Sequence, residues 1–443
     1  MTRLLARLLP LCALLSASAP GADIEVQSQT LENGLKILIH EDHDIPSVAL
    51  YLFFEVGSRN EGPGVTGISH YFEHMMFNGT ERYGPKQFDI EMERAGGRNN
   101  AYTSRDVTVY TDWFPPSALE LMFDMEADRM QHLSFDPKIV ESERGVVYSE
   151  RRMGVDNDPE GALAEQVDAA AYTAHPYGWP VVGWAADIEA WTMEDLERHY
   201  RMGYAPNNCV MVVAGDVTPE RILDLAQKRF APIPRQEPPP PVRTTEPKQE
   251  GERRVTLRKP AQLALVMASY HVPETKHADH AALEALSAVL ASGRSSRLYR
   301  RLVEEDQLVL NVDAGQQLAI DPTQFGFRMR IRSGIDPARA EAALYEELQK
   351  LGDEGVTAAE LDKARRQLLA AFYRDLKTIA GKADLIGRYE VFYGDHRKIN
   401  DAVAALEQVT AEDVQRVAAQ YFQPENRTVG VLIPEEESEG ASE

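Results

Sequence analysis

Short stretches of alternating or continuous apolar residues read as strands, and longer stretches with apolar positions three and four apart read as helices. The chain opens with two strand-like runs, GLKILIHE (34–41) and SVALYLFFEVGS (47–58). Much later, FGFRMRIRS (325–333) sets Phe325, Phe327, Met329 and Ile331 against intervening small or charged residues. That period of two predicts a half-buried antiparallel strand. Helix starts are marked by Thr218-Pro219 and by Asp136-Pro137, each a capping side chain followed by a proline at the first helical position. The second helix is expected to run to about Met153. In GVTGISHYFEHMMFNGT (64–80), Thr66 reads as a helix start and Gly79 as its stop.

The pattern is interrupted once. Residues 231–254 carry four consecutive prolines, Pro238–Pro241, among scattered charges, and are expected to be an extended connector rather than core. On either side lie two stretches, 23–230 and 255–434, that resemble each other. Each opens with strands, continues through helices and further strands, and closes on a Pro-x-Asn followed by an apolar run: PNNCVMVVAGDV (206–217) and QPENRTVGVLIP (423–434). This predicts an internal duplication. With no regular βαβ alternation, the fold class is α+β: two similar domains, each a mainly antiparallel sheet packed with helices.

The composition, 43% hydrophobic and 26% charged, is globular. The first 22 residues read as a signal peptide: Arg3 and Arg7, an apolar core from Leu8 to Leu15, and cleavage after Ala19 or Ala22. The core is too short to span a bilayer, and the competing reading is a retained interfacial helix. A secreted or periplasmic location follows. Cys12 leaves with the signal, and Cys209, in the apolar run CVMVVAG, is then the single thiol, so no internal disulfide is expected. The formal net charge of −23 becomes −25 without Arg3 and Arg7, which argues against nucleic acid and anionic membranes as partners. Residues 435–443 (EEESEGASE) read as an acidic, disordered tail.

Charge and composition say nothing about chemistry; His70-Tyr71-Phe72-Glu73-His74 does. Residues four apart share a helix face, so the two imidazoles of His70 and His74 point the same way, as ligands of one metal ion must. Glu73 stands beside them, where a carboxylate can act as general base on a water. The apolar neighbours Tyr71, Phe72, Met75, Met76 and Phe77 make this helix largely buried, and buried His and Glu need partners. A catalytic zinc takes three protein ligands. Glu143 and Glu150, seven apart and on one face of the helix that starts at Pro137, are the candidates: one as ligand, the other orienting a ligand. Arg144, Arg151 and Arg152 beside them leave a salt-bridged surface helix as the competing reading.

His-x-x-Glu-His is the inverted zinc motif. Together with GGRNNAYTSRDVTVY (96–110), ERGVVYSERR (143–152), HPYGWPVVGW (175–184), YAPNNCVMVVAGDV (204–217) and GRSSRLYRRL (293–302), it resembles the insulinase, pitrilysin and mitochondrial processing peptidase family over nearly the whole chain past the signal. In particular it resembles the zinc-carrying subunit of a bacterial two-subunit member. The resemblance implies a zinc endopeptidase with one Zn2+ per chain, His70, His74 and Glu150 as ligands, Glu73 as general base and Glu143 behind the ligands. It further implies that Asn100, with the Ala101, Tyr102 and Thr103 edge, holds the backbone of a peptide substrate by strand addition. The two domains would enclose half of a peptide chamber. Cobalt or manganese could occupy the same ligand set.

One departure matters. Family members that act alone carry an arginine and a tyrosine just after the SSRLY-like segment; here those positions are Val303 and Leu310, neither a hydrogen-bond donor. Losing such donors costs about two to three orders of magnitude in rate. The expectation is a heterodimer in which a homologous partner chain supplies the Arg/Tyr pair; the alternatives are that Arg300 or Arg301 substitutes, or that a homodimer works without the pair. A non-catalytic structural or peptide-binding subunit is the competing function. A zinc hydrolase of non-peptide amides is a third, against which the GGRNNAYTS edge speaks.

Overall fold

The computed structural model describes residues 24–435. The predicted signal peptide and all of the predicted tail after Glu435 lie outside the described residues. Two sheets organise the chain. The first holds β1 (Gln27–Thr30), β2 (Lys36–Glu41), β3 (Val48–Phe54), β4 (Arg98–Thr103), β5 (Thr108–Phe114) and β6 (Cys209–Gly215), in the order β1-β2-β6-β3-β5-β4. The second holds β7 (Arg253–Pro260), β8 (Leu265–Val272), β9 (Val309–Gln316), β10 (Thr323–Ile331) and β11 (Arg427–Glu435), in the order β7-β11-β8-β10-β9.

Setting aside β1, the two orders are the same. β2 pairs parallel with β6 as β7 does with β11, and every other neighbouring pair is antiparallel in both sheets. The duplication read from matching strand ends is therefore present in the topology, and the α+β class holds. Phe325, Phe327, Met329 and Ile331 are buried in β10 while Arg328 and Arg330 between them are exposed. Asp136 and Thr218 cap helices Pro137–Arg151 and Pro219–Arg229 as expected. Three expectations are corrected. The motif helix, Ile68–Met75, is capped by Gly67 in the left-handed region (φ 84°), not by Thr66, whose hydroxyl and N–H instead bind Asp187. The connector is shorter than predicted, because Arg253 and Arg254 already belong to β7, and Glu435, predicted as the first residue of the tail, instead closes β11. Nor is the connector loose: Glu246 accepts from the N–H groups of Thr173, Ala174 and His175, and buried Gln249 donates to the Arg427 carbonyl.

Each sheet buries one face under helices of its own half. The motif helix lies in the core of the first, where Tyr71, Phe72 and Met75 join Leu50, Leu52 and Phe54. The opposite face of each sheet is covered from the other half. Helix Ile379–Tyr393 packs Ile379, Ala383, Ile386 and Phe392 against Ala49, Tyr51, Phe53 and Val212 of the first sheet. Helix Pro159–Ala171 packs Leu163 and Val167 against Leu265, Met267 and Leu432 of the second. Gly387 lies flat on Phe53: a Cβ there would sit 2.0 Å from the ring. β3 is in consequence buried along its whole length, like a strand of a two-sided sheet.

Candidate metal centre

The site is built from three elements of the first half. Apolar side chains on both turns of the motif helix hold it down and leave His70, Glu73 and His74 on its remaining face. Its N-terminus is seated by buried polar contacts. Glu61 accepts from the N–H groups of Gly67 and Ser69, both at 2.7 Å, so its two carboxyl oxygens meet the positive end of the helix. Gly67 and Gly183 (φ 84° and 86°) touch backbone to backbone; a Cβ on Gly183 would lie 2.4 Å from the Thr66 carbonyl oxygen. The second element, helix Pro137–Arg151, brings Glu143 and Glu150 over that face. The third is β4, the edge strand of the first sheet, whose outer side has no strand partner among the described residues.

His74 donates from Nδ1 to Glu143 at 2.8 Å, which leaves its Nε2 lone pair free. That Nε2 lies 3.3 Å from Glu150 Oε2, and His70 Nε2 lies 3.7 Å from the same oxygen. The three ligand atoms of His70, His74 and Glu150 all fall within 4.8 Å of one another. Ligands about 2.0 Å from a tetrahedral zinc are about 3.3 Å apart, so this donor set fits that ion with small adjustments. Burial and the neighbouring His74 hold His70 down to about 4, so at neutral pH its ring is uncharged, as a metal ligand's must be. Burial works the same way on His74 but is outweighed by the bond to Glu143 and the surrounding carboxylates, which push it up; the same bond pulls Glu143 below the usual carboxylate range.

Glu73 Oε2 accepts from the Thr103 hydroxyl at 2.7 Å. Burial raises its pKa, against the opposing effect of Thr103 and His74. β4 therefore contributes to the site twice, through Thr103 on the face toward Glu73 and through its free edge. Ala101 shares the Thr103 face and packs on the core. Asn100 and Tyr102 alternate to the opposite face, where Asn100 is exposed and Tyr102 meets the second half. A cleft of about 420 Å3 beside Glu73, His74 and Glu143 runs along Asn99, Asn100 and Ala101, and a second opening beside His70 and Glu150 is lined by Val181 and Val182. The residues predicted for the site are brought together around these two openings, Asn100 lining the first and Tyr102 the second, although strand alternation sets these two on the opposite face of β4 from Thr103. Val303 is buried, and Leu310 is exposed at the start of β9.

Glu61, Asp187 and the Gly67–Gly183 contact were not foreseen. Their signals were a Gly- and Pro-rich run ahead of the motif and the second glycine of HPYGWPVVGW, but neither reveals a partner far along the chain.

A duplicated α+β fold carrying this inverted motif defines a class of metallopeptidase-like proteins, and comparison with known proteins gives it a family. Residues 36–183 match the family model described as "Insulinase (Peptidase family M16)" and residues 190–368 the one described as "Peptidase M16 inactive domain". The chain is 32% identical over 442 residues to "Zinc protease PqqE" of Helicobacter pylori, covering 97% of this chain and 98% of that protein. The crystal structure of a protease from Helicobacter pylori superposes with a TM-score of 0.90 at 31% identity, over 93% of this chain and 99% of that one. The periplasmic protease PqqL from Escherichia coli shares the fold, with a TM-score of 0.76 at 20% identity over 95% of this chain but 48% of its own. The chain belongs to peptidase family M16.

Proposed function

We propose that this chain is the metal-bearing half of a zinc endopeptidase that hydrolyses peptides or unfolded polypeptides. The observation that carries the reading is the convergence of His70 Nε2, His74 Nε2 and Glu150 Oε2 beside Glu73, itself tied to a free strand edge by Thr103. The residues that would hold the ion are His70, His74 and Glu150. A bound zinc supplies a Lewis acid that makes water more acidic and takes up charge from a peptide carbonyl. The rest is done by the chain's own groups. Thr103 fixes one oxygen of Glu73 and leaves the other to take a proton from water and return it to the departing amine. Glu143 fixes the ring of His74. The open edge of β4 offers main-chain groups to an extended substrate.

Val303 and Leu310 can donate nothing to a carbonyl oxygen, and PqqL, whose fold this chain matches over only half its length, is supplied with a second half. Both support a homologous partner chain that brings the arginine and tyrosine and closes a chamber. The signal-like first 22 residues support action in a secreted or periplasmic setting; among the described residues no helix is long and apolar enough to cross a membrane.

The test has two readouts. Metal analysis of the purified chain after zinc loading should give one equivalent, retained in Glu73→Gln and lost in His74→Ala. Peptide cleavage should be weak for the chain alone, rise by about two orders of magnitude with a homologous chain that keeps the Arg/Tyr pair, and vanish in Glu73→Gln. A protein that stays metal-free in excess zinc refutes the enzyme; full activity without a partner refutes the heterodimer.

A further inference from the structure

A large, mostly apolar hollow lies away from the metal ligands. It is a cavity of about 530 Å3 between the edge of the first sheet and helices of the second half. Tyr102 forms one wall; Phe372, Tyr389 and Tyr393 form another; Glu284 and Asp375 stand among them. Tyr389 and Tyr393 stack at 4.3 Å and 10°. Tyr393 is held by a 3.1 Å bond between its hydroxyl and His280 Nε2, and His280 by Gln316 at 2.9 Å, so these rings are fixed in place.

The charge balance is one-sided. Arg388, the cation of the lining, is paired with Asp384 at 2.8 Å. Glu284 has only the His280 ring within ion-pair distance, at 3.6 Å, and Asp375 lines the cavity without a cationic partner among the described residues. An apolar, aromatic-walled space with carboxylates in it is suited to a long side chain with a cationic end: the stem packs on the rings and the charge lies near aromatic faces and carboxylates. The excess of acidic over basic residues in the whole chain, 70 against 47, draws the same class of ligand.

The position of the cavity ties it to the edge strand. Side chains of a strand added to β4 alternate between the two faces of the first sheet. The residue beside Thr103 faces Glu73; the residue beside Tyr102 faces the opposite way, into this cavity. We propose that the Tyr102–Tyr389–Tyr393–Glu284 cavity is a subsite for an arginine or lysine side chain of a bound peptide, one residue removed from the residue held against Glu73. The inference rests on the strand-edge reading given above.

The experiment uses the full zinc-loaded chain carrying Glu73→Gln, which binds without cleaving, and fluorescent peptides identical except at one scanned position. At that position arginine, citrulline, norleucine and phenylalanine are compared. Citrulline keeps the shape and donors of arginine without its charge. At one position, and not at its immediate neighbours, the arginine peptide should bind about tenfold more tightly than the citrulline peptide. Adding Glu284→Gln should bring the ratio of those two affinities close to one, and Asp375→Asn should lower it; a thermal melt overlaying that of the parent shows that each variant folds. Equal binding of all four peptides, a preference for phenylalanine, or an arginine preference untouched by both variants overturns the subsite while leaving the strand edge standing. Failure of every peptide to bind overturns the edge reading and the subsite with it.

Discussion

At the residue scale, the site shows how a spacing becomes a geometry. His70 and His74 had to share a helix face at any rate, because four residues make roughly one turn. Spacing alone did not say which of Glu143 and Glu150 would meet the metal, and the assignment to Glu150 came from the family resemblance: seven residues apart, the two occupy equivalent positions on their helix, and only the packing angle of that helix decides. The structure puts Glu143 on Nδ1 of His74 and Glu150 beside both Nε2 atoms. Glu143→Gln should therefore leave the three ligands in place but loosen the His74 ring, lowering zinc affinity by about ten- to a hundredfold in competition titrations with a chelator. An effect as large as that of Glu150→Gln would mean that Glu143 binds the ion itself. Away from the site, Glu360 is hydrogen-bonded to Arg297 and caps its own helix at Thr357, and these contacts pull its carboxyl down to about 2 from 4.5. A folded-state value below the unfolded one stabilises the fold above about pH 4.5 and is lost as pH falls toward 2. The melting temperature of Glu360→Gln should accordingly lie below that of the wild type at pH 7, and the two should converge as the pH is lowered; a gap that stays constant with pH excludes the ionised carboxylate as the cause.

At the element scale, strand and helix patterns were readable wherever one face is buried, as in β10. They failed where backbone, not side chain, makes the contact. Thr66 has the chemistry of a helix cap, but the chain reaches the motif helix through Gly67 with a positive φ, because the Gly183 loop presses against it with no room for a Cβ. Gly183→Ala combines a strained left-handed backbone with a carbonyl at 2.4 Å. It should lower the melting temperature, with a cost of about 2–4 kcal/mol, and reduce zinc occupancy, although it lies on neither ligand helix. A stable variant that binds zinc normally would show that the two loops are free to part.

At the scale of the whole molecule, the duplication was legible and its consequence was not. Sequence halves suggested two bodies joined by a proline-rich strap. Nothing in the sequence pattern of the helix Ile379–Tyr393 says that it lies on the first sheet. Polar contacts add to the exchange. Arg59 binds Asp321 at 2.8 Å, and the Tyr177 hydroxyl donates to Asp106 at 2.6 Å while accepting from the Asp321 N–H at 3.2 Å, joining the HPYGWPVVGW segment to the β9–β10 turn. If the chain is cut by limited trypsin digestion at the exposed Arg235 or Arg243, on either side of the four prolines, the two pieces should still elute together in gel filtration and melt in one transition; separation under native conditions would contradict the packing.

The traded helices carry one more implication. A gene fragment encoding either half alone would yield a sheet with a naked greasy face, prone to clump, whereas the same two fragments made together should find each other and fold as a complementing pair. Each is, in effect, the other's chaperone, and the strap between them, pinned through Glu246 and Gln249, keeps the two on one chain.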